Sequence, residues 1–370
     1  MKLAIIRRRY APHGGAERFI ETGAREFANA GIEVSLIAES WTSFGGDSFR
    51  RITVPGGGLT RASRLAHFQH AIADIVAREG FDLVQTHERL LTADIFRAGD
   101  GVHAAWVARQ AAERGGLRGA IMRLDPLHRL VIDTERRMAR ETDMIFVANS
   151  ALVAREIAEW LTVPASRIRT IENGVDLAAF HVATDAERQA ARARFGIGPD
   201  EPVVAFVGSG FERKGAFRLV EALAQPAARP FHALIAGADR HLKALQARVV
   251  ALGLAARVRI LGGVADPRSV YRAADVFALP SLYDPMPNAA LEALACGLPV
   301  VTTADAGIAE AVAEAKAGTI ATRDPQSIAE GLTVVAGQRA AMSSAARALA
   351  RRFDLNAATA RWLALYRELA

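Results

Sequence analysis

Short β-type apolar runs alternate with longer helical stretches along this chain, and the alternation begins afresh at Pro202. Lys2 to Arg7 reads as a strand, Pro12 to Gly15 as a glycine-containing loop, and about Ala16 to Ala30 as a helix stopped by Gly31. Ile32 to Ile37 alternates as a second strand. Strand, glycine turn, helix, strand is a βαβ unit, which requires a parallel sheet and a right-handed crossover. Asp82 to Thr86, a stretch near Ala93 to Phe96, and Met144 to Ala148 add further strands. After Pro202, strands over Val203–Gly208, His232–Ala236, Val258–Leu261, Val276–Leu279 and Pro299–Thr303 alternate with helices over Gly215–Ala224, Leu242–Leu252, Arg268–Ala274 and about Asn288–Cys296. The pattern predicts an α/β chain of two Rossmann-like, doubly wound domains facing a cleft, with Asp185 to Pro199 as the boundary region.

Length and composition agree with that reading. A chain of 370 residues suits two domains, each with its own core, and 51% hydrophobic with 23% charged is a globular composition. No run of eighteen uncharged apolar residues occurs, which excludes a membrane-spanning helix; Leu3 to Ile6, ahead of three arginines, is too short for a signal peptide. The single cysteine, Cys296, cannot make an internal disulfide and fits a reducing cytoplasm. With 46 Lys and Arg against 40 Asp and Glu the chain carries +6, and its pI is about 9.9. That balance does not choose between nucleic acid, membrane surface and anionic metabolite. Only four of the 46 basic residues are lysines: Lys2, Lys214, Lys243 and Lys316.

Ligands of open α/β sheets bind beyond the C-terminal ends of the strands, and three stretches fall there. Gly14 and Gly15, after the first strand, permit close backbone approach to a ligand or serve only as a tight turn. No G-x-G-x-x-G occurs there, which argues against an NAD-dependent enzyme. The second stretch is Gly208-Ser209-Gly210-Phe211-Glu212-Arg213-Lys214-Gly215. Arg213 and Lys214 at this junction suit a diphosphate, as a forked donor beside a point charge, or form a solvated basic turn. The third runs from Tyr283 through Asp284, Met286, Asn288 and Ala289 to Glu292. Its two acids, eight apart, either face one ligand at a helix N-terminus or simply favour the helix dipole.

Taken together, the three stretches resemble family 4 of the retaining GT-B glycosyltransferases over nearly the whole chain. The residues that carry the resemblance are Gly14 to Glu17, Asn173 to Asp176 with Phe180, Arg213 to Gly215, and Glu292 to Val300. Within the family, Gly208 to Gly215 and Gly297 to Thr303 are most similar to the lipopolysaccharide core glucosyltransferases that add glucose to inner-core heptose. The resemblance implies transfer of a hexose, glucose from UDP-glucose above all, with retention and without a metal. Residues 1–180 would form an acceptor-side domain, 181–352 a nucleotide-sugar domain, and 353–370 a helix returning to the first. Arg213 and Lys214 would stabilise the leaving diphosphate, Glu292 hold the ribose, Asp284 the donor sugar, and Gly14, Gly15, Gly208 and Ser209 approach the nucleotide sugar. The sequence departs from the family at Asp284, one methylene shorter than Glu, and at Pro285 and Pro287. Proline lacks an N–H, which leaves Met286, Asn288 and Ala289 as backbone donors.

On the acceptor side, Asp100 would orient or deprotonate the acceptor and His103 bond a sugar hydroxyl, or the two are a loop acid and a surface imidazole; His87 competes for the second role. Residues 103–140 hold eight arginines against four acids, a local balance of +4, with Trp106, Leu117, Ile121, Met122, Leu124, Leu127 and Leu130 interleaved. Such a stretch either lies on an anionic membrane or packs as an ordinary Arg-rich helix. The expected setting is a cytoplasmic enzyme held peripherally on the inner membrane, with a lipopolysaccharide or other lipid-linked or exopolysaccharide acceptor. A UDP-sugar epimerase of the same architecture is the nearer alternative. A nucleic-acid-binding protein is the farther one, since no module or continuous basic stripe is present and only 6% of residues are aromatic.

Overall fold

The computed structural model describes residues 1–10, 23, 26, 27, 29–41 and 49–370. Gly14, Gly15, Ala16 and Glu17, with the loop that contains them, lie outside the described residues. The chain divides into two compact units, Met1–Asn173 with Asn356–Ala370, and Gly174–Leu355. The crossings fall at 173/174 and 355/356 rather than 180/181 and 352/353. Val175 is the reason: its N–H donates to Phe353 O at 2.8 Å and its carbonyl accepts from Leu355 at 3.1 Å, which binds the start of the second unit to its end.

The first unit is built on a parallel sheet whose strands are β1 (Lys2–Ile6), β3 (Glu33–Ala38), β5 (Arg50–Thr53), β6 (Leu83–Thr86), β7 (Ile95–Ala98), β8 (Ile145–Ala148) and β9 (Ile168–Thr170). Their order is β5-β3-β1-β6-β7-β8-β9. Two short strands, β2 (Arg9–Tyr10) and β4 (Ser40–Trp41), pair separately. Strand β7 starts two residues later than its apolar run suggested. Asp94 is spent beforehand on Val84, whose N–H donates to Asp94 Oδ2 at 2.7 Å, so register begins at Gln85↔Ile95. The terminal helix, Leu355–Leu369, buries Trp362, Leu365 and Tyr366 among Leu3, Phe27 and Leu36, sealing one face of this sheet.

The second unit has strands β10 (Val203–Val207), β11 (His232–Ala236), β12 (Val258–Gly262), β13 (Val276–Leu279), β14 (Val300–Thr303) and β15 (Gly318–Ala321), in the order β12-β11-β10-β13-β14-β15. All pairs are parallel. The central strands are buried on both faces, which is why they read as continuous Val, Ala and Phe runs rather than as an alternation. Both sheets are doubly wound, and in each the order reverses at its first strand, β1 or β10, placing the switch point beside that strand's C-terminal end.

Candidate active site

In the second unit the chain leaves β10 through Gly208 and Gly210, whose turn is tied down by Asp239. The Asp239 carboxylate accepts from Gly210 N at 2.7 Å and from Phe211 N at 3.0 Å. Arg213 and Lys214 then sit on a single helical turn, Phe211–Lys214, and a separate helix, Ala216–Leu223, follows. Gly215 between them has φ +82°, and a Cβ there would stand 2.1 Å from Pro280 O. Only glycine permits that turn to lie so close to the end of β13.

This packing brings together residues far apart in sequence. Lys214 Nζ is 3.3 Å and Arg213 Nη1 3.5 Å from the same Asp284 oxygen. Arg213 Nη1 also donates to Tyr283 O at 2.8 Å. Asp284 is buried and fixed by its backbone, donating to Asp305 O at 3.1 Å and accepting from Gly307 N at 2.8 Å. The two cations are thus engaged with a carboxylate, and two positive charges against one negative leave the cluster cationic. Glu292 lies one turn into helix Asn288–Ala295, buried, accepting a 2.8 Å hydrogen bond from the Tyr271 hydroxyl. Met286 and Ala289 are buried, Asn288 half-buried, and Ser209 exposed. Sequence reasoning missed Tyr271 and Asp239. The apolar neighbourhood of Tyr271 disguises it as core, whereas Asp239, two residues after Gly237 at a strand end, was a findable signal.

In the first unit, Asp100 is exposed in the loop after β7. Helix His103–Arg114 has no capping side chain of its own at Val102. Glu135, wholly buried on helix Pro126–Glu141, substitutes: its two oxygens accept from His103 N at 2.9 and 3.0 Å. Arg89 completes the clamp, with Nε on Glu135 at 3.0 Å and Nη2 on Gly101 O at 3.0 Å. Burial pushes the Glu135 carboxyl up, and Arg89 opposes that shift. The His103 ring lies 3.1 Å from His128 Nδ1 and stacks on Trp106 at 5.3 Å. Burial, with Arg89 and His128 nearby, pushes His103 down to about 3, so the imidazole is neutral. His87 is buried at the end of β6.

Residues 103–140 form three helices, His103–Arg114, Gly116–Leu124 and Pro126–Glu141, rather than one. Gly115, at φ +63°, and Pro126 break them. Part of the basic excess is structural: Arg109 pairs with buried Glu156 at 2.9 Å and Arg137 with Glu141 at 3.0 Å. Met122 is buried, but Leu117, Ile121 and Leu124 are 76%, 58% and 57% exposed, one stripe at i, i+4, i+7 flanked by exposed Arg118 and Arg123. Among the described residues no helix is long and apolar enough to cross a membrane, and no group of three or more His, Cys, Asp or Glu is placed to hold a metal.

Known proteins complete the picture. Residues 13–179 match the family model described as Glycosyltransferase Family 4, and residues 187–349 match Glycosyl transferases group 1. The chain belongs to the family 4 GT-B glycosyltransferases. It is 28% identical to a D-inositol 3-phosphate glycosyltransferase of Corynebacterium urealyticum, over 96% of this chain and 91% of that protein. It is 26% identical to the lipopolysaccharide glucosyltransferase WaaG of Escherichia coli, over 86% of this chain and 85% of that one. A crystal structure of WaaG, described as a glycosyltransferase involved in lipopolysaccharide biosynthesis, superposes with a TM-score of 0.85 at 24% identity, covering 97% of this chain and 98% of the other. The fold is GT-B, and the protein is a glycosyltransferase.

Proposed function

We propose that this glycosyltransferase moves glucose from UDP-glucose, with retention, to a saccharide of the lipopolysaccharide core at an anionic membrane surface. The observation that carries the donor side is the cluster of Arg213, Lys214 and Asp284 beside the end of β13. A donor diphosphate entering it exchanges one carboxylate for a more highly charged anion. The bond from the anomeric carbon to the diphosphate breaks with its electron pair going to the phosphate oxygen. The acceptor oxygen forms its bond on the same face, and its proton passes to the departing phosphate. The two cations meet the developing charge, so no metal is needed and a chelator leaves the rate unchanged. Glu292, held by Tyr271, receives the ribose hydroxyls; Gly208 and the N–H groups of Met286, Asn288 and Ala289 face the donor. Neutral His103 donates one ring N–H to a sugar hydroxyl, and Asp100 orients the acceptor.

The exposed stripe of Leu117, Ile121 and Leu124 between Arg118 and Arg123 favours a membrane-resident acceptor, reached by a cytoplasmic protein bound peripherally. The likeness to the inositol-phosphate transferase favours a second reading, a small phosphorylated polyol as acceptor. Incubation of the purified protein with UDP-glucose and either truncated lipopolysaccharide or inositol 3-phosphate, with the product anomer read by NMR, separates the two. Glucose transfer to the lipopolysaccharide with retention supports the first reading. Transfer to inositol 3-phosphate alone replaces it with the second.

A further inference from the structure

Among the described residues, His87 Nδ1 and Asn149 Oδ1 are buried polar atoms of the first unit without a hydrogen-bond partner. Both side chains follow directly on strands, His87 on β6 and Asn149 on β8, which flank β7 in the sheet. They therefore share the C-terminal edge of the sheet, the side on which doubly wound domains take ligands. Buried orphans of this kind are rare and costly, and their concentration at that edge calls for an explanation.

The orientation of each is set from behind. Asn149 Nδ2 donates to Gly99 O at 3.0 Å, which leaves Oδ1 as the unengaged end. The Tyr366 hydroxyl lies 2.6 Å from Gln85 Oε1, and Gln85 Nε2 lies 3.1 Å from His87 Nε2. Among the described residues the Tyr366 hydroxyl has Gln85 as its partner, and it donates to Oε1. The amide then donates to His87 Nε2, and the imidazole, which burial and the nearby Arg97 and Arg7 keep neutral, carries its proton on Nδ1. The terminal helix thereby programs the tautomer of a histidine at the ligand-binding edge.

We propose that His87 and Asn149 form a polar subsite for the acceptor, in which His87 donates Nδ1–H to an anionic, phosphoryl-type oxygen and Asn149 accepts from a neighbouring hydroxyl. Arg7 and Arg97 favour the anion at the His87 end. Gln85 and Tyr366 are positioning residues. The word acceptor rests on the transferase reading above; the anion preference does not.

Long-range nitrogen–proton NMR of the full chain tests this without turnover. His87 is expected in the Nδ1–H tautomer, with its Nδ1 signal moving on titration with inorganic phosphate. In kinetics, His87→Phe and Asn149→Ala each raise the acceptor KM about tenfold or more while the donor KM stays constant. His87→Asn, which keeps a donor near the Nδ1 position, recovers most of that loss, and Tyr366→Phe raises acceptor KM without touching donor KM. An Nε2–H tautomer, or an Nδ1 signal indifferent to phosphate, truncated lipopolysaccharide and inositol 3-phosphate alike, overturns the proposal and marks a trapped water. Equal losses in donor KM, acceptor KM and thermal stability also overturn it. A phosphate response in a protein that transfers to neither acceptor would sink the proposed function and leave the subsite standing.

Discussion

Lys214 Nζ stands 3.3 Å from Asp284 Oδ2, with Arg213 Nη1 3.5 Å from the same oxygen. The triad is buried on the acid's side and open on the side of Arg213, whose side chain is 34% exposed. Asp284 holds the two cations in one place, so a diphosphate meets a formed site rather than two mobile side chains.

Lys214→Ala removes half of that charge and leaves Asp284 facing Arg213 alone. Transfer should fall by about 10²–10³ in kcat, the range found when a transition-state charge donor is lost. Lys243→Ala, at an exposed position on helix Leu242–Ala251, should leave the rate within twofold, roughly the scatter of a surface change. Steady-state rates with UDP-glucose decide it, and equal rates in the two variants would remove the site assignment.

Tyr271→Phe withdraws the 2.8 Å hydrogen bond to Glu292 and leaves the ring in place. Folding stability should drop by about 1.5–3 kcal/mol, the usual net value of a hydrogen bond to a charged group, and donor KM should rise several-fold with acceptor KM constant. Denaturant melts and two-substrate kinetics read both. A stability loss with no change in donor KM would make Tyr271 a core residue only.

What the sequence revealed follows from how far each signal reaches. Strand β10 and its glycine exit, the helix bearing Glu292 and the parallel order are written in local apolar period and turn residues, so they can be read from neighbours along the chain. The separate roles of Lys214 and Asp284 were legible through the family resemblance, but their ion pair was not, because the pair depends on Gly215 lying against Pro280 O, a contact between a helical turn and the end of a distant strand. Glu135 capping the helix that starts at His103 is similarly silent: a buried acid in a basic segment looks like a solvated charge until the helices fold together. The break of residues 103–140 into three helices was signalled by Gly115, Gly116 and Pro126, which the tally of charges passed over.

Three buried or half-buried imidazoles, His87, His103 and His128, are all pushed down from 6.5, His103 to about 3. The unfolded chain gains protons below its own pKa that the native imidazoles refuse, so their contribution is complete above about pH 6.5 and fades as pH falls toward 3. For His103 alone the loss between pH 7 and pH 5 is about 2 kcal/mol. Urea unfolding of the wild type and of His103→Gln at both values should show the gap between them closing by that amount on acidification. A gap independent of pH would mean that His103 is protonated in the folded protein.

The helix Gly116–Leu124 offers a membrane two different handles. Leu117, Ile121 and Leu124 present an apolar stripe, and burial of such side chains contributes about 1.5–3 kcal/mol each when complete. Arg118 and Arg123 add about 1 kcal/mol each near an anionic surface, and that part is screened by salt. Binding to vesicles containing phosphatidylglycerol should therefore weaken in two steps that can be told apart. Arg118→Gln with Arg123→Gln should lower affinity about thirtyfold and flatten its salt dependence, whereas Leu117→Ser with Ile121→Ser should lower it while the salt slope stays steep. Flotation at low and high salt reads both slopes. Binding that ignores both pairs of changes would leave this stripe as protein surface and favour the small phosphorylated acceptor over the lipid-linked one, since an enzyme serving a free polyol has no need of the bilayer.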